Sequence, residues 1–351
     1  MKFKELKRLI RISPLRNSRL YHALRFEMKK KECDNVISNF LGGGINADRK
    51  KQIIKNMKRA MVKYHWDFDE YFLFDYEGTS HEERLKFVPE YDKNVFCDQV
   101  NDSKQADVFY SKWETYKVFK EFFKRDAILV KGLAEADDDD VSAFMGKHQS
   151  FIMKPINEAC GKGIQIIRAD TIAEAKTKLV NVLKKQDTAY IIEELICQVE
   201  EMAEFHPQSV NTVRMPTFNL KGEIHVVRPF MRTGCGNSVV DNAGSGGVFA
   251  VIDPETGTTY AAADEFNRNF TEHPDSHKKM VDFSVPQWNE AVEIAKRLAK
   301  VLPEVKYVGW DLALTDKGWC LVEGNDKGQF VFQYPLHEGF MDELKNLKKQ
   351  M

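Results

Sequence analysis

The stretch that most narrows what this chain can fold into lies near its C-terminal end, VGWDLALTDKGWCLVEGND, Val308 to Asp326. Two short apolar-rich segments flank Asp316-Lys317-Gly318, which reads as a tight turn. Gly318 suits the φ > 0 position that three-residue hairpin loops need. A hairpin centred on Lys317 sets Asp311 directly across from Glu323, and because strand side chains repeat every two residues, Asn325 shares the face of Glu323. Two carboxylates and a carboxamide then converge. Like charges set opposite one another destabilise a hairpin unless something neutralises them. A hard divalent cation with oxygen ligands, Mg2+ above all, is the natural neutraliser. The competing reading is an ordinary solvated hairpin whose acids point outward.

The rest of the chain supplies the context. At 351 residues it has room for two or three lobes, and 43% apolar with 30% charged residues is the balance of a soluble globular protein. A net charge of −1 provides no global field for nucleic acid. No apolar run reaches the length of a membrane span, and no signal-peptide pattern opens the chain. The six cysteines are dispersed without a CxxC pair, which fits a reduced, cytoplasmic protein. The first 32 residues are nonetheless locally very basic, with Phe3, Leu6, Ile10, Leu20, Leu24 and Phe26 interleaved among Lys and Arg. Such a stretch suits an anionic membrane surface or an acidic partner; a solvated helix packing onto the body by its apolar side is the plainer reading.

Taken in order, apolar residues at three- and four-residue spacing predict a helix from about Ala47 to Tyr64, followed by the aromatic WDFDEYFLF segment. Ser111-x-x-Glu114 has the form of a capping box opening a helix to about Phe123. Lys112 then projects from a helix start, where a cation is disfavoured unless an anion binds nearby. FIMKP (151–155) and IQIIR (164–168) read as strands bracketing the loop NEACGKG, whose lysine and glycines suit phosphate contact, although a GKG turn alone is common. A second capping box, Thr171 to Glu174, opens a helix to about Lys185. AYIIEELI (189–196) reads as a buried strand carrying Glu193 and Glu194. Further on, VNTVRMPTFNL and EIHVVRPFMRTG form a hairpin about Lys221-Gly222. In the first of these strands Thr212 and Arg214 share one face. Arg228 stands in an otherwise apolar run, either facing an anionic ligand or tied into a structural ion pair. DNAGSGG (241–247) is a side-chain-poor loop that allows backbone amides close to an anion, or a plain flexible loop. A helix from about Pro286 to Val301 leads back to the hairpin.

In this order the stations resemble the ATP-grasp superfamily of carboxylate–amine ligases. The series is Lys112 at a helix start, MKP with Lys154 before the GKG loop, IEELI, strands bearing basic residues, GSGG, and finally Asp311 with Glu323-Gly324-Asn325. The phrases SVNTVR, GWDLALT and LVEGN resemble in particular the sugar-transfer-associated ATP-grasp proteins of polysaccharide biosynthesis. The resemblance spans roughly Lys112 to Phe330, and the aromatic segment also looks like that group's N-terminal region.

The resemblance implies an α+β ATP-grasp fold: two α+β lobes clamping a nucleotide, beside a mainly helical N-terminal region. It divides the chain into 1–105, basic at its start; 106–200, holding the small lobe at about 125–195; and 201–351, the lobe with the metal and substrate sites. It further implies roles. Lys112 and Lys154 contact ATP phosphates while Gly161, Lys162 and Gly163 close over them. Glu193, beside Glu194, receives the adenine amino group with backbone help from Leu195 and Ile196. Glu200, or its neighbour Glu201, holds the ribose. Asp311, Glu323 and Asn325 hold two Mg2+ ions, Mn2+ being the alternative. Arg214, Arg228 and Asn242, with the GSGG loop, face the acyl-phosphate and the substrate carboxylate. Relatives that ligate amino acids often carry a basic residue just before that loop's paired glycines; here Gly244 and Ser245 stand there, and the carboxylate is left unassigned.

The implied reaction is ADP-releasing ligation. ATP converts a carboxylate into an acyl-phosphate, which an amine attacks in a site closed to water. The partners are small-molecule carboxylate and amine substrates, among them a sugar or glycan precursor and an amino acid. A phosphotransferase acting on a hydroxyl, or a non-catalytic ATP-binding module in glycan assembly, are the alternatives. The expected location is the cytoplasm, with peripheral contact at the inner membrane face through the basic N-terminus left open, as is the oligomeric state.

Overall fold

The computed structural model describes residues 13–158, 161–186, 188–241, 244 and 246–351. The first twelve residues of the basic N-terminus, two residues of the NEACGKG loop, and Asn242, Ala243 and Ser245 lie outside them.

Helices dominate residues 13–100: Arg19–Lys29, Cys33–Leu41, Ala47–Tyr64 and Glu90–Val100 are the longest. The expected helix at 47–64 is present with those bounds, capped by Asn46, whose Oδ1 accepts from Arg49 N at 2.8 Å. Ile53, Met57, Ala60 and Met61 turn inward to meet Trp66, Phe68 and Phe74 of the aromatic segment. That segment is therefore core. The Glu90–Val100 helix instead packs Phe96 and Cys97 against Phe218 and Tyr307, and so belongs with the C-terminal sheet.

The remaining chain builds two antiparallel sheets. In chain order the strands are β1 (Ala127–Val130), β2 (Phe151–Pro155), β3 (Gln165–Ile167), β4 (Tyr190–Glu194), β5 (Thr212–Leu220), β6 (Glu223–Val226), β7 (Phe230–Thr233), β8 (Val248–Ile252), β9 (Thr259–Asp264), β10 (Asn269–Phe270), β11 (Tyr307–Thr315) and β12 (Gly318–Asn325). The small sheet runs β1-β4-β2-β3. Its apolar face meets the helices Asp139–Lys147 and Ile172–Leu183 through Met153, Ile192, Phe144 and Leu179. The large sheet runs β10-β9-β8-β7-β5-β11-β12, with β6 paired to β5.

Alternation along the large sheet decides where chemistry can occur. Val213, Met215, Met231, Ala250, Trp310, Leu312 and Leu314 all point into one core, which the helices Lys112–Phe123 and Trp288–Val301 cover. Residues one step out of phase (Thr212, Arg214, Arg232, Asp311) are thereby committed to the opposite face. Two expectations about this sheet are corrected. EIHVVRPFMRTG is not one strand. Arg228 adopts φ +52°, and Pro229 has no N–H for the ladder, so β6 ends at Val226 and β7 begins at Phe230. The helix expected from Pro286 begins at Trp288, after Gln287 takes a left-handed conformation.

The hairpin itself is less regular than its sequence suggests. Thr315 pairs with Gly318 across a two-residue loop, and Leu312 pairs with Leu321. The register shifts next, so that Asp311 pairs with Glu323, leaving Val322 as a β-bulge. Without the bulge, Leu321 and Glu323 would share a face. With it, Leu321 stays in the core while Glu323 joins Asp311 on the polar side. Trp310 anchors this arrangement from beneath, fully buried with Nε1 donating to Thr217 Oγ1 at 2.9 Å. Truncation to Ala leaves a large cavity and removes the donor to the Thr217 hydroxyl, which keeps only its own bond to Val308 O, so Trp310→Ala is expected to cost roughly 3–5 kcal/mol. Urea denaturation measures it, and a loss below about 1 kcal/mol contradicts this packing.

Candidate functional site

On the polar face of the large sheet, strand register sets four side chains together. Asp311 faces Arg214 across β11 and β5, and Arg232 faces Thr212 across β5 and β7. Arg214 grips Asp311 in a bidentate fork, Nε to Oδ1 and Nη2 to Oδ2 at 2.9 Å. Arg232 Nη2 lies 2.8 Å from Asp311 Oδ2 and 3.4 Å from Asp241 Oδ2. Asp241, the first residue of the DNAGSGG loop, also accepts from the Thr212 amide at 3.1 Å and from its hydroxyl. Burial pushes the Asp241 carboxyl above the usual range, and Arg232 opposes that rise. Burial acts to lower the Arg232 pKa, but Asp241, Asp311 and Glu323 more than reverse it and keep the guanidinium charged.

Asp311 and Glu323 therefore form the carboxylate pair expected from the hairpin, but Asp311 has a different neutraliser. Asp311, 2% exposed, is already balanced by two arginines. Glu323 is half-buried and has no hydrogen-bond or salt-bridge partner among the described residues, although it lies in the fields of Lys154 and Arg232. Asn325 approaches Asp311 Oδ2 through Nδ2 at 3.5 Å, and half a turn of the amide presents its oxygen instead. This donor set fits a small hard cation, with an unpartnered carboxylate, a rotatable carboxamide and one spare lone pair on Asp311 Oδ1. No group of three or more His, Cys, Asp or Glu among the described residues is placed to hold a metal. A cation here rests on two acids, an amide and outside oxygens such as phosphate or water.

The small sheet brings a second charged group to the same region. Lys154 on β2 and Glu193 on β4 are buried and paired, Nζ to Oε1 at 3.0 Å. Arg125, between the Lys112–Phe123 helix and β1, donates Nε to Glu193 Oε2 at 2.7 Å and Nη1 to the Phe123 and Leu321 carbonyls. Burial alone raises the Glu193 pKa, but the charges and hydrogen bonds of Arg125 and Lys154 outweigh it and hold the carboxyl down at about 2. Burial lowers the Lys154 pKa; Glu193 resists this and Arg125 adds to it. Glu193 is thus enclosed between two cations and 2% exposed, not turned toward an open adenine site. Glu194 is half-buried, pairs with Lys317 of the β11–β12 turn at 3.1 Å and accepts from the Asp126 amide at 3.2 Å. Leu195 and Ile196 follow in a segment that Gln198 and Val199 pin to β11, Val199 N donating to Leu314 O at 3.2 Å. Glu200 and Glu201 are exposed at the start of a short helix.

Lys112 donates its amide to Ile156 O at 2.9 Å and its Nζ to Glu158 O, which ties it to the loop leaving β2. In the same loop Gly161 and Gly163 take φ +73° and +72°, which side chains resist. A Cβ on Gly163 would come within 2.8 Å of Pro155 Cγ, and one on Gly161 within 3.3 Å of Val240. The GKG loop therefore lies against the segment entering DNAGSGG, with Lys162 exposed.

Arg228 is not brought to this cluster. Its guanidinium pairs with Glu338 and Glu343 at 3.3 and 3.2 Å and lies over the Phe332 ring, which is the structural ion pair. Arg228 and Arg232 have the same strand parity, so alternation could not separate them; the intervening Pro229 was the available signal. Asn242 lies outside the described residues. Arg125 and Asp241, in irregular segments, carried no sequence signal.

Residues 92–349 match the family described as sugar-transfer associated ATP-grasp. The chain belongs to that family. Its fold is ATP-grasp, of the α+β class. No curated protein matches. Among solved structures, the VanG D-Ala:D-Ser ligase from Enterococcus faecalis is similar at 13% identity and TM-score 0.46, over 74% of this chain and 67% of that one. The ATP-grasp ligase PsnB, complexed with minimal precursor, Mg and ADP, is similar at 13% identity and TM-score 0.42, over 77% and 68%. The ADP complex of N5-carboxyaminoimidazole ribonucleotide synthetase (purK) is similar at 11% identity and TM-score 0.41, over 64% of this chain; the chain spans only 46% of that structure.

Replacing Glu193 by Gln strands two buried cations. The variant is expected to lose roughly 3 kcal/mol at pH 7. The Glu193 pKa falls on folding from 4.5 to about 2, so its contribution is present above the unfolded value and is lost as pH falls through that window. Denaturation of wild type and variant should therefore converge between those pH values. A gap that stays constant through acid contradicts the triad.

Proposed function

We propose that this ATP-grasp protein is an ATP-dependent ligase that activates a carboxylate as an acyl-phosphate and joins it to an amine, modifying a sugar or glycan precursor. The observation that carries the reading is the facing pair Asp311–Glu323, with Asn325 beside it and Arg214, Arg232 and Lys154 around it. Phosphoryl transfer demands positioning and charge neutralisation more than covalent help, and these side chains provide both.

In this reading Asp311, Glu323 and Asn325 hold Mg2+, which supplies Lewis-acid neutralisation of phosphate charge. Lys154 and Lys112 contact phosphates from the small-lobe side, and the Gly161–Gly163 loop covers them. Glu193 sets the position and charge of Lys154 from within. Glu194 and the backbone of Leu195 and Ile196 lie at the end of β4 for the adenine, and Glu200 or Glu201 takes the ribose. Arg232 replaces Arg228: with Arg214 it orients the substrate carboxylate and stabilises negative charge that develops on it. Asn242 remains assigned to the same loop from sequence alone. The glycan substrate rests on the family's description, and the amine on the ligase resemblance.

ADP release with Mg2+, measured against paired panels of uronic acids and amines, tests the proposal. Amine-dependent ADP release with amide formation is expected. Phosphorylation of a hydroxyl without amide overturns ligation in favour of phosphotransfer, and tight ATP binding without ADP release from any pair favours a non-catalytic module. Glu323→Gln should abolish turnover and leave the denaturation midpoint unchanged, because Glu323 has no ion pair among the described residues to lose; full activity sinks the metal assignment. Lys154→Ala should weaken calorimetric ATP affinity by at least about tenfold, and unchanged affinity contradicts its phosphate role.

A further inference from the structure

The helix Arg19–Lys29 has two faces of opposite character. One is internal: His22 and Phe26 are buried, Arg25 and Lys29 pair with Asp67 at 3.0 and 2.7 Å, and the Arg25 guanidinium lies 4.8 Å from the Tyr91 ring centroid. Two of the basic side chains in this stretch are therefore ties to the protein body. The other face carries Leu20, Leu24 and Met28 at four-residue spacing, and they are 70%, 56% and 80% exposed. Leu15, in the turn just before the helix, is 60% exposed. A single exposed leucine is unremarkable, but three large aliphatic side chains in line along one helix, with a fourth in the turn before it, form an apolar stripe.

Charge brackets the stripe. Arg19 is exposed at its start, and Lys30 and Lys31 are exposed at its end. Residues 1–31 contain eleven Lys and Arg against two Glu, so with a net charge of −1 overall the rest of the chain is distinctly acidic. The same face of a second copy would set like charge against like charge, which argues against symmetric self-association through this face. An apolar stripe ending in lysines is the pattern of a helix lying in the plane of a bilayer, with aliphatic side chains in the headgroup boundary and cations at the lipid phosphates. No described helix is long and apolar enough to cross a membrane.

We propose that the Leu15–Leu20–Leu24–Met28 face docks this protein peripherally on an anionic lipid bilayer. The helix packs on Asp67, Tyr91 and the N-terminal helical core, none of which is assigned to nucleotide or metal, so docking and the proposed ligation are separable.

The test is flotation of the full chain with vesicles of phosphatidylcholine alone and of phosphatidylcholine mixed with phosphatidylglycerol. Binding is expected to the mixed vesicles only, weakening as salt rises. The triple variant Leu20→Glu, Leu24→Glu, Met28→Glu should reduce the bound fraction by about tenfold or more, with circular dichroism and ATP affinity unchanged because all three side chains are exposed. Lys30→Glu with Lys31→Glu should weaken binding to mixed vesicles less severely. Failure to bind mixed vesicles overturns the proposal and leaves an acidic protein as the partner. Equal binding to both vesicles overturns the electrostatic half, and undiminished binding by the triple variant overturns the assigned face.

Discussion

The polar face of the large sheet is organised around the carboxylate of Asp311, held by Arg214 and Arg232. Three adjacent strands contribute to this contact, and their common register makes it possible: β5 sits between β7 and β11, so the two arginines reach one acid from neighbouring positions. Removing a buried charge from such a set leaves its partners uncompensated, a loss of several kcal/mol. Asp311 is therefore structural whatever else it does, whereas Glu323 across from it has no ion pair among the described residues.

A second set of charges joins the two sheets. Arg125 touches Glu193 on β4 and the Leu321 carbonyl on β12, while Lys317 of the β11–β12 turn pairs with Glu194. Glu193 in turn holds Lys154. The lysine assigned to phosphate and the hairpin assigned to metal are thus connected through one guanidinium and a bulged strand. Movement of the small sheet relative to the hairpin must break or carry these contacts.

Much of this was legible in the sequence where local physics dominates. Apolar spacing marked the helix at 47–64, caps fixed the starts of the helices at 112 and 172, and period-two alternation placed Thr212 and Arg214 on one face. The Asp311–Glu323 pairing was read correctly, but from an idealised hairpin: the real loop is shorter, and the bulge at Val322 restores the pair while keeping Leu321 in the core. What failed depended on tertiary context. Pairwise repulsion pointed to a cation because no nearby residue could neutralise Asp311, whereas Arg214 and Arg232 come from strands about eighty to one hundred positions upstream. The resemblance implied a ligand-facing Glu193, and nothing local revealed its second partner, because Arg125 sits in an irregular segment. Arg228 stood out as a cation in an apolar run and Arg232 did not, because the break at Arg228-Pro229 that turns the first away from the site and leaves the second on it belongs to the folded backbone.

The central claim is that Glu323, with Asp311 and Asn325, couples a divalent cation to nucleotide binding. Calorimetry with a non-hydrolysable ATP analogue, at saturating Mg2+ and in EDTA, tests it in wild type and in Glu323→Gln. Wild-type affinity should fall by at least about tenfold when Mg2+ is removed, and the variant should lose most of that dependence while keeping its fold. An identical response to Mg2+ in both proteins would contradict the account.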